Sequence, residues 1–234
     1  IPSKNYKKLF NWTIKNPKLF WSSIWEFSDL KGIKNDKFYF PKNIMKSKFL
    51  LKSKLNYAEN LLSKYDNSKA ITFISENGYR KEKSWKELNN NTFKLINFLK
   101  EIKIKEHDRV AAYTVNQIET VESFLATSAI GAIWSSCSPD FGTKGVIERF
   151  SQIKPKLLII TDRYYYNGKE INVLERLPTI IKKINSIKTV LIINYPGKKN
   201  LKQNRIRGIK IFFYNKLKNK KKIFHLKNLI LIKN

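Results

Sequence analysis

The spacing of apolar positions switches repeatedly along this chain between a helical period and short unbroken runs. Trp21 and Trp25 stand four apart, and Phe20, Ile24 and Phe27 extend the stripe, which predicts an amphipathic helix packed on a core. Pro17 suits its first turn and Asn16 its cap. Leu55–Lys64 reads as a short helix. Ala70–Ser75 (AITFIS) reads as a strand, Asn77-Gly78 as a hairpin turn and Tyr79–Lys83 as the return strand. Ser84 then caps a long helix, SWKELNNNTFKLINFLKEI. Glu87 holds its capping-box position, and Trp85, Leu88, Leu95, Ile96 and Leu99 form its apolar face. Further along, strands are predicted at Asp108–Thr114, Ala132–Trp134, Lys156–Thr161 and Thr189–Asn194. Helices are predicted at Gln117–Ile130, Thr143–Ile153 (capped by Asp140 and Thr143) and Glu170–Ile184. The run IKIFFY (Ile209–Tyr214) reads as one more strand. Strands alternating with helices of this length predict an α/β fold, a mostly parallel sheet with flanking helices.

Composition narrows this without naming a function. With 234 residues, 42% of them hydrophobic, the chain is long enough to bury a real core. No apolar run reaches the length of a membrane-spanning helix, so no membrane span is expected. The first residues, IPSKNYKKLF, have no apolar signal segment, and without an initiator Met the true start is expected to be missing or unusual. The single cysteine, Cys137, excludes an internal disulfide and fits a reducing, cytoplasmic setting.

The net charge of +29 points at first to nucleic acid or an anionic membrane. The basic residues are mostly Lys, however, and run along the whole chain beside abundant Asn, Ile, Phe and Tyr. That pattern matches A/T-rich codon usage better than a binding face with Arg forks, so no nucleic-acid partner is expected. A basic nucleic-acid- or membrane-binding protein stays as the rival from another class; steep salt dependence of binding to a defined ligand distinguishes it. After Glu175 no acidic residue follows, so residues 197–234 read as an unbalanced basic tail rich in Lys, Asn and Ile.

The motifs that carry chemistry are few. Neither GxxxxGK[ST] nor GxGxxG is present. His107, His225 and Cys137 stand far apart, so no metal site is expected. Cys137 has no activating base nearby and reads as a structural thiol. No Ser–His–acid set can be assembled, and no catalytic residue is assigned.

Three segments nevertheless carry a resemblance: DRVAAYTVNQIETVESFLA, GAIWSSCSPDFG and DRYYYNGKE. They resemble the adenylate-forming acyl-CoA synthetases, and within that superfamily the acetoacetate–CoA ligase group. FWSSIWEFSDLKG and LNYAENLL resemble the family's amino-terminal cap. The match covers residues 5–195 and fades after Pro196. The resemblance implies the amino-terminal part of the large N-terminal domain of an adenylate-forming enzyme. Residues 1–65 would be an aromatic-rich cap, 66–196 a partial AMP-binding synthetase domain, and 197–234 a basic tail, frame-shifted or disordered. Back-translation of Ile223–Asn234 with A/T-rich codons, shifted by two bases, reads FSFEKFDFNQ; this string resembles the family segment ahead of its phosphate loop.

The implied activity is that of an acid–thiol ligase. Acetoacetate, ATP and CoA would give acetoacetyl-CoA, AMP and pyrophosphate through an acyl-adenylate, with Mg²⁺ as the metal. An acetyl- or propionyl-CoA synthetase fragment is the alternative within the family, and the SSCSPDFG loop speaks against it. A stand-alone non-catalytic partner is a further alternative. The family's phosphate loop, ribose-binding Asp and catalytic Lys have no counterpart here, so the chain is expected to be inactive alone. Lys169 is the one site residue that the resemblance implies, as a contact to the CoA phosphate. Trp134, Ser136, Pro139 and Asp140 mark the subgroup and are expected to pack and cap.

Overall fold

The computed structural model describes residues 4–198, 204–217 and 232–233, which group into two compact units, 4–60 with 232–233, and 61–198 with 204–217. In the first unit, α1 (Tyr6–Lys15) starts where the Asn5 side chain accepts from the Lys8 backbone N–H at 3.1 Å. The helix α2 (Pro17–Phe27) begins with Pro17 in its first turn, as its sequence predicts. Asn16 does not cap it with its side chain. The Asn16 amide instead donates to the Trp12 carbonyl at 3.1 Å and closes α1. Within the predicted stripe Trp25 is buried, while Trp21 and Phe27 are exposed. The Trp21 ring meets Phe49, which in turn meets Phe40, each pair at 5.2 Å. Strand β1 (Gly32–Ile33) pairs antiparallel with β2 (Lys54–Leu55). A Cβ on Gly32 would fall 2.4 Å from the Lys54 carbonyl oxygen, so this pairing requires glycine.

The helix α3 (Tyr57–Leu61) leads into the second unit. There β3 (Lys69–Ile74) and β4 (Arg80–Ser84) form the predicted hairpin, with Gly78 at φ +80° in its turn. The helix α4 (Trp85–Glu101) carries the predicted capping box: the Ser84 side chain accepts from the Glu87 N–H, and Glu87 accepts from the Ser84 N–H. There follow β5 (Arg109–Tyr113), α5 (Ile118–Ala129), β6 (Ile133–Cys137), α6 (Thr143–Ile153), β7 (Leu157–Thr161), β8 (Arg163–Tyr166), β9 (Lys169–Asn172), α7 (Leu177–Lys183), β10 (Thr189–Ile193) and β11 (Lys210–Phe213). Residues Ile232–Lys233 (β12) pair antiparallel with β2.

Five strands form one parallel sheet in the order β11-β10-β7-β5-β6. Every residue of β7 and β10 is buried, which is why both read as unbroken apolar runs. One sheet face presents Ala111, Tyr113, Leu158, Ile160, Val190 and Ile192 to Val146 and Phe150 of α6 and to Leu177 and Ile180 of α7. The opposite face packs under α4 and α5, where Phe98 meets Phe212 of β11 at 5.1 Å and Phe124 meets Trp134 of β6 at 5.9 Å. The sheet is therefore covered by helices on both sides, the α/β architecture that the alternation predicts.

Two local expectations are corrected. The helix predicted at Glu170–Ile184 is only Leu177–Lys183. Its first residues are β9, turned back on β8 by Asn167 and Gly168 at φ +50° and +72°. Asn-Gly readily adopts that left-handed pair, and it overrides helical spacing. Asp140 and Thr143 make no side-chain cap on α6, whose N-cap is Gly142; the Asp140 carboxylate accepts from the Ser138 hydroxyl at 2.7 Å instead. The run Ile209–Tyr214 does supply a strand, β11. The out-of-frame reading of 223–234 lies outside the described residues except at 232–233.

Candidate functional site

A cleft of about 300 Å³ opens beyond the carboxyl ends of β5, β6 and β7. In open parallel sheets this is where ligands bind, because the loops leaving adjacent strands diverge there. Three chain segments line it: Thr114–Asn116 with Thr120 from the start of α5, Ser136–Ser138 with Asp140 after β6, and Tyr164–Tyr166 of β8. The lining is rich in hydroxyls. The Thr120 hydroxyl donates to the Val115 carbonyl at 2.8 Å, and the Thr114 hydroxyl is buried without a hydrogen-bond partner among the described residues.

The wall after β6 is held from behind. Tyr113 is fully buried, and its hydroxyl oxygen lies 3.0 Å from the Pro139 carbonyl and 2.7 Å from that of Phe141. The Arg176 guanidinium donates to the Tyr113 hydroxyl and, at 2.7 Å, to the Pro139 carbonyl. Burial pushes the Tyr113 phenol up from its ordinary pKa, so it stays protonated and able to donate.

The floor is fixed by Asp162, fully buried after β7. Its carboxylate accepts from the Tyr195 N–H at 2.8 Å, from the Asn194 amide at 3.3 Å and from Arg163 at 3.3 Å. Arg163 also reaches Glu170 at 2.8 Å, and Tyr165 donates to the same carboxylate. These bonds tie the β8–β9 hairpin to the ends of β7 and β10. The hydrogen bond from Tyr165 and the nearby Arg163 charge hold the Glu170 carboxyl below its ordinary range.

A second charged cluster sits in the helical layer under the sheet. Lys83 of β4 donates to Glu122 of α5 at 2.6 Å, and Lys81 to Glu119 at 2.8 Å. The Tyr214 hydroxyl, just after β11, donates to Glu122. Burial raises the pKa of both Glu122 and Tyr214.

The residues singled out from the sequence divide clearly. Ser136 and Asp140 line the cleft, Pro139 supplies a carbonyl to its support, and Trp134 packs on Phe124. Cys137 also lines the cleft but is buried, and burial raises its thiol, as suits a structural cysteine. Lys169 lies on β9 opposite Tyr166 at the exposed end of the hairpin. The turn between them is steadied by the Gly168 N–H, which donates to Glu76 at 3.0 Å. Among the described residues no group of three His, Cys, Asp or Glu side chains could hold a metal ion. Tyr113, Asp162 and Arg176 were not anticipated. Position is the available signal for two of them, since Tyr113 ends β5 and Asp162 follows β7; Arg176, at the start of α7, carries none.

The family model described as AMP-binding enzyme matches residues 59–213. Acetoacetyl-CoA synthetase of Xenopus tropicalis is 39% identical over 200 residues, which cover 82% of this chain and 29% of that protein. Acetoacetyl-CoA synthetase of Gallus gallus is 37% identical over 196 residues, with the same shares covered. The structure of acetoacetyl-CoA synthetase from Streptomyces lividans superposes with a TM-score of 0.80 at 25% identity, over 93% of this chain and 33% of that one. The chain thus spans less than a third of the length of these curated relatives. The five-stranded parallel sheet, the loops diverging beyond its carboxyl ends and the match over 59–213 agree: the chain belongs to the AMP-binding enzyme family.

Proposed function

We propose that this chain is the amino-terminal part of an acetoacetate–CoA ligase. The whole enzyme joins acetoacetate to CoA at the expense of ATP, through an acyl-adenylate, and releases AMP and pyrophosphate. The observation that carries the reading is the GAIWSSCSPDFG segment. It forms one wall of the cleft, in a chain 36–39% identical to several acetoacetyl-CoA synthetases. That loop favours acetoacetate over acetate or propionate as the acyl acid.

The residues present fit part of such an enzyme. The cleft and Lys169 suit CoA: hydroxyls line the cleft, and Lys169 offers an exposed ammonium to the phosphate of the nucleotide end. They do not fit Mg²⁺ and ATP, because no carboxylate cluster and no phosphate-cradling glycine loop lies among the described residues. Catalysis therefore depends on sequence that this chain does not contain. Residues 1–65 serve as the amino-terminal cap. The synthetase domain runs from residue 66, and β11 and the family match support extending it past 196 to 213. The buried free thiol of Cys137 supports a reducing, cytoplasmic setting.

Two measurements test this. AMP release by the chain alone, with acetoacetate, ATP and CoA, is expected to stay at background; turnover would overturn the incomplete-enzyme reading. CoA should bind to the isolated chain, measured by calorimetry. Lys169→Ala should weaken it about fivefold, the ~1 kcal/mol of one exposed charge contact, and leave dephospho-CoA unaffected. Equal loss for both ligands would remove Lys169 from the phosphate site.

A further inference from the structure

The cleft wall from Ser136 to Phe141 leaves an edge strand and is only lightly bonded within itself. The Ser138 hydroxyl donates to Asp140 at 2.7 Å, and the Phe141 N–H donates to the Ser138 carbonyl at 3.1 Å. Ser136 and Cys137 are held by the pairing of β6 with β5, and Arg149 lies 4.4 Å from the centre of the Phe141 ring; the hydrogen bonds that fix the stretch beyond Cys137 come from behind. The Tyr113 hydroxyl meets the Pro139 and Phe141 carbonyls at 3.0 and 2.7 Å, so one side chain bridges both flanks of Asp140. Arg176 then donates to both the Tyr113 oxygen and the Pro139 carbonyl. Its guanidinium also lies 5.9 Å from the centre of the Tyr113 ring.

Two features set this arrangement apart from ordinary packing. Arg176 makes no ion pair among the described residues; one guanidinium nitrogen, Nη1, donates to two neutral oxygens, those of Tyr113 and Pro139. The two clamping residues also come from distant parts of the chain. Tyr113 ends β5, between β7 and the outer strand β6, and Arg176 stands at the start of α7, 63 residues later. The loop is thus referenced to the rigid core, while its own free face lines the cleft.

We propose that Arg176 and Tyr113 are positioning residues for the ligand cleft, a clamp on the carbonyls of Pro139 and Phe141 that fixes the Ser136–Asp140 wall and sets access to it. The inference rests on the reading of the cleft as a ligand site only for its consequence in binding; the clamp itself has a separate readout. Cys137, the single cysteine of the chain, sits in this wall, buried. Its alkylation rate therefore reports the position of the wall directly.

The experiment compares the intact chain with Tyr113→Phe, Arg176→Lys and Arg176→Ala, each checked for unchanged far-ultraviolet circular dichroism and melting. Lys182→Ala serves as a control away from the clamp. Iodoacetamide should label Cys137 at least tenfold faster in Tyr113→Phe and Arg176→Ala, with Arg176→Lys restoring part of the protection. Lys182→Ala should match the parent. Unchanged labelling in a folded Tyr113→Phe or Arg176→Ala variant overturns the proposal. Should those variants unfold, hydrogen exchange on the parent decides. The amides of Asp140, Phe141 and Gly142 should be protected well beyond those of Gly197 and Lys198 in a comparable loop, and equal exchange overturns the clamp. The consequence for binding is read with CoA as the probe. If the parent binds CoA and Arg176→Ala binds it equally while Cys137 is freed, the clamp stands but does not serve the site. If the parent does not bind CoA, the proposed function fails and the labelling result still decides the clamp.

Discussion

The most exacting demand on single side chains in this molecule is the buried charge at Glu122. A carboxylate with no exposed surface is tolerable only with donors in place, and here Lys83 and Tyr214 supply them. Removing one partner leaves the other charge stranded, which costs about 3–5 kcal/mol. Lys83→Met should therefore destabilise the chain by about that amount in urea unfolding. Adding Glu122→Leu to it should recover much of the loss, because two packed apolar side chains replace the pair at little net cost. A double variant no more stable than the single one would mean that the loss came from packing rather than charge. Lys83, Glu119 and Glu122 look in the sequence like ordinary surface residues of a strand and a helix. Nothing local announces that β4 and α5 turn them toward each other.

At the scale of elements, much of the fold was legible wherever local chemistry and tertiary demand agree. Ser84 and Glu87 show this best: the spacing predicts a capping box, and both reciprocal bonds form. Their contribution has a definite pH sign. Hydrogen bonds from the Ser84 N–H and hydroxyl lower the Glu87 pKa from its ordinary 4.5. That stability is fully present above the ordinary value and is lost as pH falls through the lowered one. Glu87→Gln should flatten this part of the acid-unfolding curve, and Ser84→Ala should cost about 1 kcal/mol at neutral pH. An acid limb identical in Glu87→Gln and the parent would show that the box contributes nothing measurable. The unbroken apolar runs of β7 and β10 were equally plain. The misread elements are those where a turn outranks periodicity. Residues 170–172 fall within the predicted helix, yet Asn167-Gly168 folds them back as part of β9. The cleft was only half legible. Ser136 and Asp140 stand in a recognisable loop, whereas Tyr113 and Arg176 come from far up and down the chain and reach that loop only through the order of the sheet.

Across the whole molecule, the exposed apolar surface is large for a chain meant to stay alone. In the first unit Tyr6, Phe10 and Ile14 recur four apart on α1, which buries no residue, and Phe27 is 81% exposed. In the second, β6 is an outer strand of the parallel sheet with Ile133 about half exposed, an invitation to edge pairing. Against this stands a charge of +29, which repels copies at low salt and is screened as salt rises. Association through these apolar surfaces and association through polyanions bound to the basic surface predict opposite responses to ionic strength. If apolar faces and the strand edge drive association, sedimentation velocity should show oligomers growing as salt rises from about 0.05 to 0.5 M, where the screening length falls from more than 10 Å to a few ångströms. Ile133→Lys and Phe27→Ser should each reduce that growth, and their effects should add because they act on separate units. If association instead depends on polyanions bound to the basic surface, nuclease treatment removes it, added salt dissolves it, and neither substitution matters. Growth with salt that both substitutions leave untouched would rule out both of these surfaces as the source.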